Sequence, residues 1–184
     1  MRSIIPHEKN SALRKKAAAI ARAEIESPTI KKLIEEMKKL LAKEEYGVAL
    51  AAPQVGEAIR LFIVSGRALA RGSRNAPDEI GGDVEKPETP PLPDQVYINP
   101  EILKISRTKR LKHEGCLSVR GKWGEVMRAE KATIRAYDEH NRAFTRGASD
   151  FLAHIFQHEM DHLEGILYID KAAKIYDEEP EEQK

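Results

Sequence analysis

Gln157-His158-Glu159-Met160-Asp161-His162 is the stretch of this 184-residue sequence around which the rest of the fold is organised. It contains the pattern H-E-x-x-H. On an α-helix, which has 3.6 residues per turn, His158 and His162 lie on the same face, about one turn apart. Two imidazoles placed in this way bind one divalent metal ion, and Glu159 then reaches a water molecule on that ion. The stretch therefore predicts a metal site on a helix, with at least one further ligand supplied from elsewhere in the chain.

The composition is that of a globular protein. Hydrophobic residues make up 41% and charged residues 33% of the chain, and the net charge of +1 does not indicate a nucleic-acid partner. We predict a single catalytic domain over residues 1–170 and a short acidic tail over residues 171–184. Because no apolar run is long enough to span a membrane and the first residues lack the apolar segment of a signal peptide, we expect a cytoplasmic monomer without membrane contact.

Two helices are predicted in the N-terminal part of the chain. The first covers residues 11–25, where small and apolar residues recur on one face. The second covers residues 30–42, with Thr29 as its N-cap, after a break at Pro28. In the second helix, apolar residues recur at i, i+3, i+4 and i+7, so one face must pack against the protein.

The strand pattern places short β-strands around a third helix. Apolar and β-branched content predicts strands at residues 59–64, 96–98, 102–105 and 130–137, with a turn at Asn99-Pro100 between the second and third. Residues 66–95, which are rich in glycine and proline, are predicted to form a long exposed loop. The helix at residues 151–164 is apolar on most sides and must lie inside the protein. We therefore predict an α+β fold in which short antiparallel sheets surround a buried H-E-x-x-H helix and the N-terminal helices pack outside.

Cys116 is the best candidate for the missing ligand. It is the only cysteine, so an intramolecular disulfide is excluded and the thiol is available to a metal. A lone cysteine is more often a small buried hydrophobic residue, but a thiolate supplies the charge that two neutral imidazoles lack and favours Fe(II), Zn or Ni. A CysHis₂ site follows. His154 shares the histidine face, yet as a fourth ligand it would exclude water, so we predict a packing or supporting role for it.

Three segments resemble the signature motifs of the peptide deformylase family, in the same order. They are GVALAAPQ at Gly47–Gln54, EGCLS at Glu114–Ser118 and HEMDH at His158–His162. Residues 96–100 and 128–131 are also similar to the family, and the resemblance runs over residues 4–170 with an interruption at 66–95.

The resemblance implies a metal-dependent hydrolase that removes the N-formyl group from the N-terminal methionine of newly made polypeptides. It implies that Cys116, His158 and His162 bind the metal, most often Fe(II), with Zn or Ni able to occupy the site. A metal-bound water then attacks the formyl carbonyl, with Glu159 as general base and afterwards as general acid.

The resemblance also implies where the N-formylmethionyl peptide binds. Gln54 and the backbone N–H of Leu117 hold the oxyanion, and the peptide pairs with the surrounding backbone as an added strand. The residues implied in substrate binding come from segments around the metal site: Gly47, Val48, Ala49, Leu50, Gly115 and Trp123.

Some positions depart from the family pattern. Ala49 stands where the family usually has glycine, Arg120 where proline is common, and Trp123 near an arginine that contacts the substrate in many members. Two alternatives therefore stay open: a related N-acyl-peptide amide hydrolase with an altered pocket, or an inactive metal-stabilised peptide-binding module. Intact Glu159 and Gln54 argue against the second. Members that dock on the ribosome through a basic C-terminal helix differ from this chain, whose acidic end is not expected to dock by that route.

Overall fold

The computed structural model describes residues 2–72 and 92–177. The helices within these ranges are α1 (Pro28–Lys43), α2 (Gly66–Arg71) and α3 (Asp150–Leu163). The strands are β1 (Ala49–Ala51), β2 (Leu61–Val64), β3 (Gln95–Ile105), β4 (Lys109–Cys116), β5 (Val119–Ala129), β6 (Lys131–Tyr137), β7 (Ala143–Ser149) and β8 (Lys174–Asp177). All strand pairs in the two sheets are antiparallel. The predicted α+β class is confirmed.

The two sheets divide the strands unequally. One sheet has five strands in the order β1-β2-β3-β6-β7, and the other has three in the order β4-β5-β8. Short β1 therefore forms an edge of the larger sheet. This edge matters for function because an unpaired strand edge offers backbone N–H and C=O groups to another chain.

Helix α3 lies in the interior and packs against strands of both sheets. Its residue Phe156 is fully buried against Phe62 and Tyr97 of the larger sheet, and the Tyr97 and Phe156 ring centroids are 5.3 Å apart. Gly165, with a φ of 77°, lies just beyond the end of the helix, in the left-handed conformation that commonly ends an α-helix. This helix carries His158, Glu159 and His162, and most of its side chains are buried.

Helix α1 covers the opposite face of the five-stranded sheet. Its apolar face joins a cluster with β2 and β3 that includes Met37 and Ile63, both fully buried. The helix starts two residues before the predicted Ile30, because Ser27 is the N-cap and its hydroxyl accepts a hydrogen bond from the Ile30 N–H at 3.3 Å. Proline is well tolerated at the first helical position, so Pro28 begins the helix instead of breaking it.

The predicted helix at residues 11–25 is wrong. The segment forms short 3-10 turns at Ser11–Arg14 and Arg22–Glu24 with extended chain between them. The extended part is held by distant groups: the Ala17 N–H donates to the Leu163 carbonyl at 2.8 Å, and Ala18 forms a parallel bridge with Ile59. Contacts with other parts of the chain supply the backbone hydrogen bonds that an isolated helix would have made internally.

Asn99-Pro100 is not a turn between two strands. Both residues lie inside the continuous strand β3, where the pairing with β6 changes register. Asn99 has a φ of 49°, and its side chain bonds both the N–H and the carbonyl of Ile20, at 2.8 and 2.7 Å. The side chain thereby ties the extended N-terminal segment to the sheet.

Two predictions about less regular regions need correction. Within the predicted loop at 66–95, residues Gly66–Arg71 form α2, with Ala68 and Leu69 buried; residues 73–91 lie outside the described ranges. Within the predicted tail at 171–184, Lys174–Asp177 form β8 and pair with β5; residues 178–184 lie outside the described ranges. In the second case, pairing with β5 turns a segment that contains both charged and apolar residues into a strand.

Candidate active site and metal centre

Two elements bring the predicted metal ligands together. Cys116 is the last residue of β4, just before the two-residue turn to β5, and His158 and His162 lie one turn apart on α3. The ligand atoms of these three side chains all lie within 4.8 Å of one another, and Cys116 Sγ is 3.4 Å from His162 Nε2. Among the described residues, this is the group of His, Cys and acidic side chains with the geometry of a metal site.

The donor set fits a divalent metal ion. Ligands bound to one zinc ion at about 2.0–2.3 Å are themselves separated by roughly 3–4 Å, so small side-chain adjustments suffice for the three atoms. His158 uses Nδ1 in a 2.8 Å contact with Glu114, which leaves Nε2 for the ion. One soft sulfur with two imidazoles suits Fe(II), Zn or Ni.

Glu114 is the centre of a buried network behind His158. Its side chain is 1% exposed and contacts His158 Nδ1 and His154 Nε2 at 2.8 and 3.0 Å. Arg128 donates to the same carboxylate through Nε at 2.5 Å and Nη2 at 3.0 Å. Burial alone would raise the pKa of Glu114, but hydrogen bonds from His154, His158 and Arg128 outweigh it and hold that pKa well below its usual range. His154 thus supports a ligand, in line with the role predicted for it.

Arg128 and Asp161 extend this network. Neither residue was assigned a role from the sequence. Arg128 is 4% exposed and also donates to Asp161 at 2.6 Å, while Lys171 donates to the other oxygen of Asp161 at 2.6 Å. The pattern of residues carries no local signal for these contacts, because the β4–β5 hairpin and α3 have to pack before the side chains meet. The resemblance of residues 128–131 to the family was the available hint.

Glu159 is buried beside the two histidines and lines the cleft in front of them. Burial raises the pKa of its carboxyl to about 7, although the nearby His158 acts in the opposite direction. Within the described residues, Glu159 Oε2 is a buried oxygen without a hydrogen-bond partner. An oxygen of this kind is placed to accept a proton from a molecule in the cleft.

Gln54 approaches the thiol from the other side. Its side chain is held because Oε1 accepts a hydrogen bond from the Ala51 N–H at 2.8 Å. This bond directs Nε2 toward Cys116 Sγ and Ser118 Oγ, at 3.5 and 3.4 Å. Leu117 lies in the turn next to Cys116 and packs against the α1 cluster. An amide donor therefore faces the predicted metal position, and the backbone of Leu117 is adjacent to it in the chain.

A cleft of about 830 Å³ opens in front of these groups. One wall is the segment from Lys43 to Ala49, another is formed by the β4–β5 hairpin, and α3 contributes the third. The predicted substrate residues Gly47, Val48, Ala49 and Gly115 line this cleft. The catalytic group and a large part of the expected binding surface therefore belong to one cavity.

Two of the predicted substrate-binding residues, Leu50 and Trp123, are not among the residues that line this cleft. Leu50 is fully buried in the α1 cluster, because alternate side chains of β1 point to opposite faces of the sheet. Trp123 stacks on Tyr176 of β8, with centroids 4.1 Å apart, and lies 4.9 Å from the His113 ring. Trp123 is not among the residues that line the cleft, and the predicted contact of its side chain with the substrate stays a prediction.

Comparison with known proteins identifies the family. The family model for polypeptide deformylase matches residues 1–178. The chain belongs to the polypeptide deformylase family. The resemblance of the three motifs is therefore confirmed, and the chain is a hydrolase of the class that processes the N-terminus of newly made proteins in a metal-dependent reaction.

Individual relatives agree with this assignment. A peptide deformylase from Desulforudis audaxviator is 35% identical over 164 residues, which cover 89% of each chain. The crystal structure of peptide deformylase from Thermotoga maritima is similar with a TM-score of 0.74 and 28% identity, covering 95% of this chain and 99% of that one. A Met-Ala-Ser-bound peptide deformylase from Acinetobacter baumannii has a TM-score of 0.74 and 31% identity, covering 93% of this chain and 98% of that one.

Over residues 2–72 and 92–177, no helix combines the length and apolar composition needed to cross a bilayer.

Proposed function

We propose that this deformylase hydrolyses N-formylmethionyl peptides and releases formate, using Glu159 to move protons and Gln54 to stabilise the oxyanion. The observation that carries the proposal is the meeting of Cys116, His158 and His162 beside Glu159 at one end of a cleft. The same cleft is bordered by the edge strand β1, so a peptide and a hydrolytic group can occupy it together.

Cys116, His158 and His162 would hold the metal ion, and we propose Fe(II), with Zn or Ni as substitutes. When bound, such an ion lowers the pKa of a water ligand to about 7 and polarises a carbonyl. Glu114 contributes by accepting a hydrogen bond from His158 Nδ1, which fixes the tautomer that presents Nε2.

Glu159 is the group that transfers protons. Glu159 lines the cleft, and its Oε2 is buried without a hydrogen-bond partner among the described residues; its carboxyl would accept a proton from the attacking water and deliver it to the leaving amine. A positioned carboxylate in this role contributes about 10²–10⁴ in rate. Since Glu159 is not part of the ligand group, its removal should affect turnover and not metal binding.

Gln54 and the backbone N–H of Leu117 would stabilise the negative charge that develops on the formyl oxygen. Gln54 Nε2 is fixed by the Ala51 contact at the other end of its amide, so it needs little reorganisation during the reaction. A fixed donor of this kind contributes on the order of 3 kcal/mol to transition-state stabilisation.

The peptide would bind as an additional strand on β1. The Ser65 N–H donates to the Val48 carbonyl, so residue 48 faces β2 and the alternating residue Ala49 turns its N–H and C=O to the open edge. The Met-Ala-Ser peptide bound by the Acinetobacter baumannii relative supports a peptide of this kind as substrate.

Comparing formyl-Met-Ala-Ser with acetyl-Met-Ala-Ser would test the proposal. We expect formate release from the first peptide and little hydrolysis of the second, as the family to which the chain belongs implies. Faster turnover of the acetyl peptide would favour the alternative N-acyl-peptide hydrolase. Tight binding of both peptides without hydrolysis of either would favour a peptide-binding module.

Metal analysis of protein purified without oxygen would test the choice of ion. We expect iron at close to one equivalent per chain, and loss of activity in air as iron or the thiolate is oxidised. An enzyme that stays fully active in air would contradict iron and favour zinc or nickel. The extent of the catalytic domain over residues 1–170, the monomeric state, the cytoplasmic location and the absence of ribosome docking through the C-terminal end stay predictions.

A further inference from the structure

An ion pair spans the mouth of the cleft. Arg120 Nη2 donates to Glu44 Oε1 at 2.9 Å, and both residues line the cleft. Glu44 lies at the end of α1 in the loop that leads to β1, whereas Arg120 lies at the start of β5. The pair therefore joins two different walls at the point where a bound peptide has to leave.

The loop on one side of the mouth is held in place by Arg67 of α2. Its guanidinium donates to the backbone carbonyls of Glu44, Glu45 and Gly47, each at 3.0 Å. Three carbonyls fixed by one side chain keep the loop in a single arrangement. The position of the Glu44 carboxylate opposite Arg120 is thus set before a peptide arrives.

The β5 side of the mouth carries two cations. Arg120 and Lys122 lie on either side of Gly121, and both line the cleft. Lys122 pairs with Asp177, but that carboxylate is 80% exposed, so solvent screens the pair strongly. The loop side adds Glu45 and Lys43, whose opposite charges offset each other.

Arg120 is the better exposed member of its ion pair. Its side chain is 64% exposed, compared with 24% for Glu44. A guanidinium carries five N–H donors in a planar fork, more than the single carboxylate of Glu44 uses. Arg120 is therefore able to bind a second carboxylate while it keeps its contact with Glu44.

The path of the peptide, which rests on the function proposed above, leads past these cations. The formyl group lies beside Cys116 and Gln54, and the peptide runs along β1 from Ala49 toward Gly47. At about 3.3 Å per residue, the third and fourth residues reach the mouth between Glu44 and Arg120. We propose that Arg120 and Lys122 bind acidic side chains at the third and fourth positions of the substrate.

Three amidated peptides of equal length would test this specificity: formyl-Met-Ala-Asp-Asp, formyl-Met-Ala-Ser-Ser and formyl-Met-Ala-Lys-Lys. Amidation removes the terminal carboxylate, which would otherwise bind the same cations. Two exposed charge contacts should raise kcat/KM for the Asp-Asp peptide over the Lys-Lys peptide by about three- to ten-fold, mainly through KM. Because salt screens exposed charges, the ratio of kcat/KM between the Asp-Asp and Lys-Lys peptides should fall toward one in 0.5 M salt.

The double variant Arg120→Gln and Lys122→Gln should lose this preference. Arg135→Gln is a matched control, because Arg135 also pairs with a carboxylate, Glu101 at 2.7 Å, but on β6 outside the cleft. A ratio near one in the unmodified enzyme, an unchanged ratio in the double variant, or an equal loss in the control would each overturn the proposal. Absence of formate release from all three peptides would instead contradict the proposed deformylation itself.

Discussion

Replacing Glu114 by glutamine should damage both the fold and the metal site. The change keeps the shape of the side chain but removes the charge that Arg128 and His158 share. Arg128 and Glu114 are only 4% and 1% exposed, and breaking one partner of a buried ion pair typically costs about 3–5 kcal/mol. Arg128 retains its 2.6 Å contact with Asp161, so we expect the lower end, about 3 kcal/mol. At about 2–4 °C per kcal/mol for a chain of this length, Tm should fall by roughly 6–12 °C.

The effect on metal binding follows from the 2.8 Å contact between Glu114 and His158 Nδ1. Loss of a group that orients a ligating histidine usually weakens metal binding by about 10–100-fold. Competition with a coloured chelator, using Zn(II) added to the folded variant, measures this affinity, and urea unfolding measures the stability.

Glu101→Gln is the matched control for this experiment. Glu101 also pairs with an arginine, Arg135, but both side chains are more than half exposed, so neither stability nor metal affinity should change measurably. A folded Glu114→Gln protein that binds zinc within two-fold of the unmodified enzyme would refute the argument for the metal site. A fall in stability alone would limit the role of Glu114 to neutralising Arg128.

Three further variants separate the remaining roles. Cys116→Ala should lose its metal because the sole anionic ligand is gone, and full occupancy by elemental analysis would exclude the CysHis₂ site. Glu159→Gln should keep one equivalent of metal while kcat falls by about 10²–10⁴, and a nearly normal rate of formate release would disprove its role in proton transfer. Gln54→Ala should lower kcat by about 10²–10³ with unchanged metal content, because it removes a fixed oxyanion donor; an effect confined to KM would show that Gln54 only binds the substrate.

Local sequence patterns predicted the elements whose burial pattern is strong. The apolar repeat of α1 and the apolar residues on most sides of α3 led to correct helices, since each must cover a sheet face. The same rule failed for residues 11–25. There, the repeat is accidental, and backbone contacts with Leu163 and Ile59 stabilise an extended chain.

Segments with weak local preferences were decided by pairing. Asn99 interrupts β3 without ending it, because its side chain replaces missing backbone contacts by bonding Ile20. Residues 174–177 lie next to the acidic C-terminal end and were assigned to the tail, yet they pair with the edge of β5 as a strand. Neither the continuation of β3 through Asn99 nor the formation of β8 can be predicted from the neighbouring residues alone.

The sequence by itself determined the chemical groups of this deformylase. The H-E-x-x-H spacing places His158 and His162 on one side of any α-helix, and the lone Cys116 was the best remaining anionic donor, as the family motifs indicated. Tertiary structure decided what surrounds them: the Glu114–Arg128 ion pair behind His158, the stacking of Trp123 on Tyr176, and the ion pair between Glu44 and Arg120 across the cleft. These contacts join residues far apart in the chain, so they exist only once the hairpin, α1 and α3 have packed together.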